Sequence, residues 1–491
     1  MVSHSFPDFI EWWNRNTFYK VGYVMTSATV FGFALPSMVG LASSSPVTAY
    51  LPAIVLGGIT MGYWKIGLTD IKQRSHAIRR NYPVLGNFRY ILETIRPELR
   101  QYIVESDSDG RPYDRMRRTQ IYQRAKNVND TLPFGTRRNV YETHHEWSNH
   151  SMWPVEIDSK SDAVRHTIGC AEYGTTQPYS ASILNISAMS YGAISDNAIV
   201  ALSRGAQMGN FYHNTGEGGV SKFHVEGGGN LVWNIGTGYF GCGSGVGEHR
   251  IFEPEVFQQM LSETNNNQIK MIEIKLSQGA KPGHGGLLPK AKITPEIANA
   301  RKLTYPPVGD CHSPARHSSF SNAYELVLFI TKVRELSGGL PVGIKLCVGE
   351  PTDIADLCKA MIELNNGPDF ITIDGAEGGT GAAPPELTNS VGTPLEEGLV
   401  LVHNFLVGAG LKDNKTSIIA SGRITSGFGL VRTLALGADI CNAARAFMMS
   451  LGCIQALKCN TNKCPTGIAT LEKDLMFGLD PEVKCNRGTY E

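Results

Sequence analysis

"PVGIKLCVGEPTDIADLCKAMIELNNGPDFITIDGA", residues 341–376, sets two short apolar runs around one amphipathic stretch. "PVGIKLCV" (341–348) and "DFITIDGA" (369–376) are too short for helices, and both run into glycine or polar residues, so they read as buried strands. Between them, "TDIADLCKAMIELN" places Ile354, Leu357, Met361 and Ile362 on one helical face. A strand, a crossover helix and a second strand form the unit that joins neighbouring parallel strands.

Working outward, the same alternation recurs. Further strands are expected at 182–189, 209–215, 231–236, 271–277, 417–423 and 438–444, which makes eight with the two above. Eight strand–helix repeats predict an α/β fold, a (β/α)8 TIM barrel; an open doubly wound sheet carries the same periodicity. In such folds the chemistry collects where strands end. Here the ends read "NTGEGG", "KLSQGAKPGHGG", "DGAEGGTGAAP", "SGRITSG" and "NAARAF". Each glycine run alone is a tight turn, but five on one face point to a bound cofactor carrying phosphate. Arg423 and Arg445 stand where a phosphate wants charge. Lys275 and Lys345 follow apolar runs and are expected to point into a barrel otherwise filled with aliphatic side chains.

Composition bounds the alternatives. The 491 residues carry 45 Lys+Arg against 45 Asp+Glu, so no basic surplus draws the chain to nucleic acid. Hydrophobic content of 42% with 18% charged residues suits a globular chain. Ten cysteines in a chain of this length are too sparse for a disulfide framework and suit a reducing compartment.

The N-terminus has another character. No charged residue lies between Lys20 and Lys65, and "SSSP" (Ser43 to Pro46) divides that stretch into two apolar halves, each near the length that spans a bilayer. Arg15 and Lys20 precede it and Lys72, Arg74, Arg79 and Arg80 follow, while the short connecting loop has no basic residue. This predicts a membrane hairpin over 1–70 in the inner (cytoplasmic) membrane, both ends cytoplasmic, with the catalytic domain facing the cytoplasm. A signal peptide is excluded by the length of the apolar stretch and the basic flank after it; a buried soluble hairpin is the rival. Residues 71–165 read as a helical and irregular linking region, with Ile91, Leu92, Ile95 and Leu99 at helical spacing and Pro97 near the helix end. The barrel follows over 166–491.

One cluster remains, "LGCIQALKCNTNKCPTG" from Leu451. Cys453, Cys459 and Cys464 are spaced Cys-x5-Cys-x4-Cys. Zinc sites want four ligands and closer pairs, and a redox dithiol would be Cys-x-x-Cys. Three thiolates on one loop match an iron–sulfur cluster with one empty corner; three unrelated buried cysteines match the spacing too. Cys441 is near in sequence but is expected to face the barrel from strand eight.

This loop resembles the cluster loop of the glutamate synthase family, whose synthase domain is an FMN-binding barrel with a 3Fe–4S cluster. The resemblance continues through "SAMSYGAIS", "NTGEGG", "IKLSQGAKPGHGG", "VGIKLCVGE", "DGAEGGTGAAP" and "LGADICNAARAF" over roughly residues 175–470. The preceding "IYQRAKNVNDTLPFGT…YETHHEWSNHS" resembles short membrane-anchored members. The resemblance implies that Ser187, Ala188 and Met189 lie at the flavin edge and that Lys345 reaches the flavin ring. It implies that Gly378, Gly379, Thr380 and Gly381 cover the flavin side of the pocket, and that Ser421, Gly422, Arg423, Ala444 and Arg445 cradle the phosphate. Glu217, Lys275, Gln278, Lys281 and Arg301 would line a 2-oxoglutarate site, with Glu217, Lys275 and Lys345 catalytic, and Cys453, Cys459 and Cys464 would hold the 3Fe–4S cluster. The activity implied is reduction of 2-iminoglutarate, made from 2-oxoglutarate and ammonia, or of a related imino or amino diacid. The alternative is a membrane flavoprotein that passes electrons without a carbon substrate of its own.

Chemistry agrees: a diacid wants Lys and Arg, and hydride transfer to an imine wants a flavin and a nearby proton source. No GxGxxG follows a strand in a dinucleotide-binding context, so electrons are expected from a partner, ferredoxin or a membrane carrier. The sequence departs from the family in three places. The hairpin near the start of the sequence leads to the expectation of a member without the glutaminase domain. The large enzymes' "GEGGQLPG" is here "GHGGLLPK", with His284 for an acid and Leu287 for a polar ligand. The tail after the cysteine loop, ending in "KCNRGTYE", is short.

Overall fold

All eight anticipated strands form, and they pair in parallel in chain order. In the computed structural model, which describes residues 12–39, 46–154, 164–245, 249–264, 267–282 and 285–488, they close into one barrel. The strands are β1 (Leu184–Ile186), β2 (Tyr212–Asn214), β3 (Asn230–Ile235), β4 (Ile269–Lys275), β5 (Val342–Leu346), β6 (Phe370–Asp374), β7 (Ser417–Ser421) and β8 (Ile440–Ala443). β8 pairs back onto β1, with Asn442 opposite Asn185, so no edge is left and the open-sheet alternative is excluded. Register brings Lys275 opposite Lys345 and Asp374 opposite Ser421, so the chemistry-bearing strand ends reach one rim together.

The barrel interior differs from the aliphatic filling expected. Its lower layer is apolar: Tyr212, Val232, Met271, Phe370, Ile419 and Ile440 pack together with Ile168, Tyr179 and Ala181 of the antiparallel hairpin Arg165–Ile168/Tyr179–Ser182. Above that layer lies a polar belt. Glu273, 1% exposed, accepts from Asn214 Nδ2 (2.8 Å), Asn234 Nδ2 (2.6 Å) and Thr372 Oγ1 (2.6 Å). Tyr212 donates to Asn442 Oδ1 at 2.7 Å, and Asn185 Oδ1 accepts from the Tyr212 backbone N–H. Burying these groups is tolerable because most of their polar atoms are paired, although Asn234 Oδ1 is left without a partner. Cys441 departs from expectation as well. With Ile440 and Asn442 inside the barrel, alternation turns Cys441 outward, where it joins the core between strands and helices.

The chain divides into two compact units, Met1–Arg115 and Met116–Glu491. In the first, α1 (Arg15–Met38) and α2 (Pro46–Lys72) pack as a pair. Their seam is made of small residues that admit large ones: a Cβ on Gly22 would fall 2.5 Å from Trp64, and one on Gly67 would fall 2.0 Å from Phe18. Thr29 and Thr60 hydroxyls meet across it at 3.0 Å. Both helices are long and apolar enough to cross a membrane, and only 11% of each apolar window is buried in protein. Most of the anticipated hairpin loop, residues 43–45, lies outside the described residues. A third helix, α3 (Gly86–Leu99), contains Pro97 and passes into a π-helical turn at Arg100–Val104. Its stripe of Ile91, Leu92, Ile95 and Leu99 is exposed rather than buried.

In the second unit, α4 (Arg115–Ala125) leads toward the barrel, and some of the helices around it start on a side-chain cap or a proline. α5 (Asp196–Met208) starts on Ser195, whose side chain accepts from the Ala198 N–H. α6 (Lys222–Gly227) follows β2 and α7 (Pro254–Glu263) follows β3. After β4 come the short α8 (Pro295–Arg301), begun by Thr294 and Pro295, and α9 (Ala323–Leu336). α10 (Pro351–Leu364) has proline at its first position, where no hydrogen bond is lost, and ends on left-handed Asn365 (φ 45°). α11 (Leu395–Gly408), α12 (Gly427–Ala435) and α13 (Arg445–Leu451) complete the ring.

Asp369, fully buried just before β6, fastens the closed end of the barrel. One oxygen accepts from the Cys170 N–H and Thr175 Oγ1, each at 2.7 Å. The other accepts from the Val342 N–H (2.8 Å) and from Arg334 Nε and Nη2 (3.1 and 2.9 Å). One carboxylate thus ties the hairpin, α9 and β5 together.

Candidate active site

The opposite rim gathers most of the anticipated side chains. Glu217, in the loop after β2, lies between Gly236 and Gly286, where a Cβ would come within 2.9 and 3.1 Å of its side chain. Lys275, the last residue of β4, places Nζ 2.8 Å from Glu217 Oε2 and 2.6 Å from Gln278 Oε1. Lys281 donates to the Gly285 carbonyl at 3.2 Å. Arg301, closing α8, donates from Nη2 to the Tyr191 carbonyl at 3.1 Å. The Lys275 carbonyl is 2.9 Å from His317 Nε2, which steadies the strand end.

Burial alone would raise the Glu217 carboxyl. The charge and hydrogen bond of Lys275, then the charges of Lys281 and Arg301, more than offset it and hold the group at about 2. Lys281 is pushed down by burial, against the pull of Glu217. Three basic side chains around one carboxylate leave a formal surplus of two positive charges in a largely dry pocket. Two buried donors of these residues are without partners, Gln278 Nε2 and Arg301 Nε. Buried donors are seldom left unmade, so the site is built for an anionic guest.

Lys345 lies beside this group, 5% exposed, with Nζ 3.4 Å from Asp374 Oδ2. Burial opposes its charge, but Asp374, Glu273 and Glu217 prevail and its pKa is raised. Sequence reasoning passed over Asp374 and the polar belt beneath it. The signal was present as period-two polarity in "KMIEIK" and "FITID", where Glu273, Thr372 and Asp374 share the inward face with the lysines.

A second group forms the far side of the rim. Ser187 and Ser421 hydroxyls lie 3.1 Å apart at the ends of β1 and β7, and Met189 is buried beside them. Ala188 and Ala444 are half-buried on the same rim. Arg445 donates from Nη2 to the Glu377 carbonyl at 2.6 Å, and a Cβ on Gly379 would fall 2.9 Å from its guanidinium. Gly378 and Gly422 are bare for similar reasons, each leaving 3.0 Å to a neighbouring oxygen. Arg423 is exposed and takes the left-handed conformation (φ 50°) that turns the chain after β7. These residues fit a flavin mononucleotide: a lysine for the ring edge, hydroxyls and glycine backbone at the floor, arginines at the phosphate end. Gly379, Thr380 and Gly381 are all exposed, and the Cβ position of Gly381 has no atom within 4 Å. His284 and the side chain of Leu287 lie outside the described residues, although the Leu287 backbone pairs with His312.

The cysteine loop follows α13. Cys464 is buried, and Cys453 and Cys459 are partly exposed. Tyr122 of α4 donates to the Cys453 carbonyl at 2.7 Å. Burial raises the Cys453 thiol to about 11 and raises Cys459. At Cys464 burial is outweighed by the Thr466 hydroxyl and by backbone N–H groups of Ala469, Thr466 and Ile468, so its pKa is lowered. Among the described residues, no three Cys, His, Asp or Glu side chains are gathered as a metal would hold them. The loop thus carries three thiols within twelve residues, of which Cys464 alone has its pKa lowered.

A closed parallel barrel with a cationic, glycine-lined rim at its strand ends defines a (β/α)8-barrel enzyme. Residues 118–487 match the conserved region in glutamate synthase, and the chain belongs to the glutamate synthase family of oxidoreductases. It is 37% identical to the glutamate synthase large subunit-like protein YerD of Bacillus subtilis over 478 residues, 89% of this chain and 88% of that one. It is 35% identical to the archaeal-type glutamate synthase [NADPH] of Thermotoga maritima over 302 residues, 61% of this chain and 54% of that enzyme. The chain thus spans about half the length of the archaeal-type enzymes. Among solved structures, a (putative) lactate oxidase of Pediococcus acidilactici aligns over 81% of this chain and 90% of its own, at 13% identity and a TM-score of 0.37.

Proposed function

We propose that this enzyme binds FMN at the barrel rim and reduces 2-iminoglutarate, formed from 2-oxoglutarate and ammonia, to glutamate. The surplus of two positive charges among Lys275, Lys281 and Arg301 against Glu217 carries the reading, because a 2-oxo diacid brings two negative charges. Arg301 and Lys281 bind the carboxylates. Gln278, with its unpartnered amide N–H, orients the imine carbon toward the ring face. FMN supplies the hydride when bound. Lys275 gives the proton that the imine nitrogen takes up, and Glu217 accepts its hydrogen bond throughout. Lys345, kept charged by Asp374, favours negative charge at the flavin edge.

The electrons come from a partner protein or membrane carrier, with ferredoxin the soluble candidate. Cys453, Cys459 and Cys464 are proposed to hold a 3Fe–4S cluster, supported by three thiols on one loop beside the rim. The hairpin of α1 and α2 is proposed to anchor the protein in the cytoplasmic membrane with the barrel in the cytoplasm. Uncovered apolar flanks support this, as does the exposed stripe of α3 with Arg89, Arg96 and Arg100 on the same helix and turn, the composition of a helix lying on a bilayer.

One preparation tests the reading. Full-length protein should sediment with membranes, need detergent for extraction, carry flavin and iron when purified anaerobically, and form glutamate from 2-oxoglutarate, ammonia and a reduced dye. Flavin and iron without glutamate formation would favour the electron-transfer alternative; no iron would remove the cluster. Arg445→Glu should lose most of its flavin, since it sets a negative charge against the phosphate. Full flavin content in that variant would refute the cradle.

A further inference from the structure

Arg301 is held in an unusual way. Its guanidinium carbon lies 4.7 Å from the centroid of the Phe240 ring, and the guanidinium of Arg250 lies 5.3 Å from the same centroid. All three residues are 5% exposed or less. The two arginines are spent differently. Arg250 gives its N–H groups to the carbonyls of Gly238, Gly245 and Gly243 at 2.6, 2.9 and 3.0 Å. Arg301 gives Nη2 to the Tyr191 carbonyl at 3.1 Å, but keeps a buried Nε without a partner, and its Nη1 reaches only the weak acceptor Cys311 Sγ at 3.7 Å.

The loop after β3 is shaped to hold that ring. A Cβ on Gly238 would fall 2.8 Å from Phe240, so only glycine leaves the ring its place. The Gly241 N–H donates to the Arg301 carbonyl at 3.3 Å, which fixes the end of α8 to the same loop. An aromatic face attracts a cation through its quadrupole without using an N–H donor and without neutralising the charge. A carboxylate in that position would do both. Phe240 therefore holds Arg301 in a dry site while leaving its charge, its Nε and its weakly bonded Nη1 for a ligand.

We propose that Phe240 is a positioning residue that aims Arg301 at the second carboxylate of the substrate, and so sets the preference for 2-oxo diacids over 2-oxo monoacids. The inference rests on the diacid reading of the site given above. A monoacid has no group for Arg301 to meet, so loss of the ring should affect the two ligands unequally.

The test compares calorimetric binding of 2-oxoglutarate and 2-oxobutyrate to full-length, cofactor-loaded protein in detergent. Phe240→Met keeps volume and removes the ring face. It should weaken 2-oxoglutarate about tenfold, the scale of a desolvated cation–π contact, and leave 2-oxobutyrate within about twofold. In turnover the loss should appear in KM, with kcat near wild type. Phe240→Tyr should restore wild-type binding. If Phe240→Met does not fold, pentafluorophenylalanine at position 240 keeps the shape, reverses the ring quadrupole and should give the same selective loss. Equal weakening of both ligands, or none, in the ring-modified protein would overturn the inference while leaving the diacid reading intact. Wild-type protein that binds 2-oxoglutarate no better than 2-oxobutyrate would overturn the diacid reading and this inference with it.

Discussion

Lys275→Met is expected to lower glutamate formation by roughly 10²–10³-fold, the scale for losing a charge-stabilising or proton-donating group at a reacting centre. The variant removes the proposed proton source and strands Glu217, since the hydrogen bond of 2.8 Å goes with it. A pH signature separates this from general damage. The Glu217 carboxyl is held at about 2 in the folded protein against an ordinary 4.5, so its folded pKa is depressed. Its contribution to stability is complete above pH 4.5 and is lost as pH falls from there through about 2. At about 1.4 kcal/mol per unit the contribution is on the order of 3 kcal/mol. In Lys275→Met the carboxyl should titrate higher, so the acid-induced loss of stability becomes smaller and Glu217→Gln on top of it should change little. Unfolding midpoints measured between pH 2 and 6, beside steady-state rates at neutral pH, check both halves. A rate within fivefold of wild type would remove Lys275 from the chemistry.

Asp369→Asn should be the most damaging of the conservative changes to the fold. Its carboxylate accepts five hydrogen bonds from the hairpin, α9 and β5, and it is fully buried with Arg334. The amide turns an acceptor toward donors into a donor facing donors and leaves the Arg334 charge buried without its partner. About 3–5 kcal/mol should be lost, enough to lower the thermal midpoint clearly and to speed unfolding. The double variant Arg334→Met/Asp369→Leu removes both charges and should recover part of the loss. A single variant within about 1 kcal/mol of wild type would show that hydration replaces the network.

Strand and helix positions were legible because each depends on a local period. The run "PVGIKLCV" is short and mostly apolar, with Val342, Ile344 and Leu346 in the core between strands and helices and Lys345 on the other face, and β5 forms inside it. The helix between 351 and 364 followed from spacing that puts Ile354, Leu357 and Met361 on its buried face; Ile362, expected with them, is exposed, because it lies about 80° round the helix from Ile354. Ile91, Leu92, Ile95 and Leu99 have equally good spacing and are exposed, because periodicity identifies an apolar stripe without naming what covers it.

The site divides along the same line. Glycine-rich strand ends and the basic residues within them are properties of the chain, and they located the rim before any coordinates did. By itself the sequence determined the crossover unit, its eightfold repetition, the cationic loops and the three-cysteine loop, since each is a matter of residue type at short spacing. Only the tertiary structure decided that the sheet closes, because closure depends on β8 meeting β1 across some 250 residues of chain. Only it placed Glu273 with Asn214, Asn234 and Asn442 inside the barrel, turned Cys441 outward and left Thr380 and Gly381 in solvent. It also set Phe240 beneath Arg301, residues 61 positions apart in sequence, because a ring and a guanidinium from different loops become neighbours only after both loops have folded over the same rim.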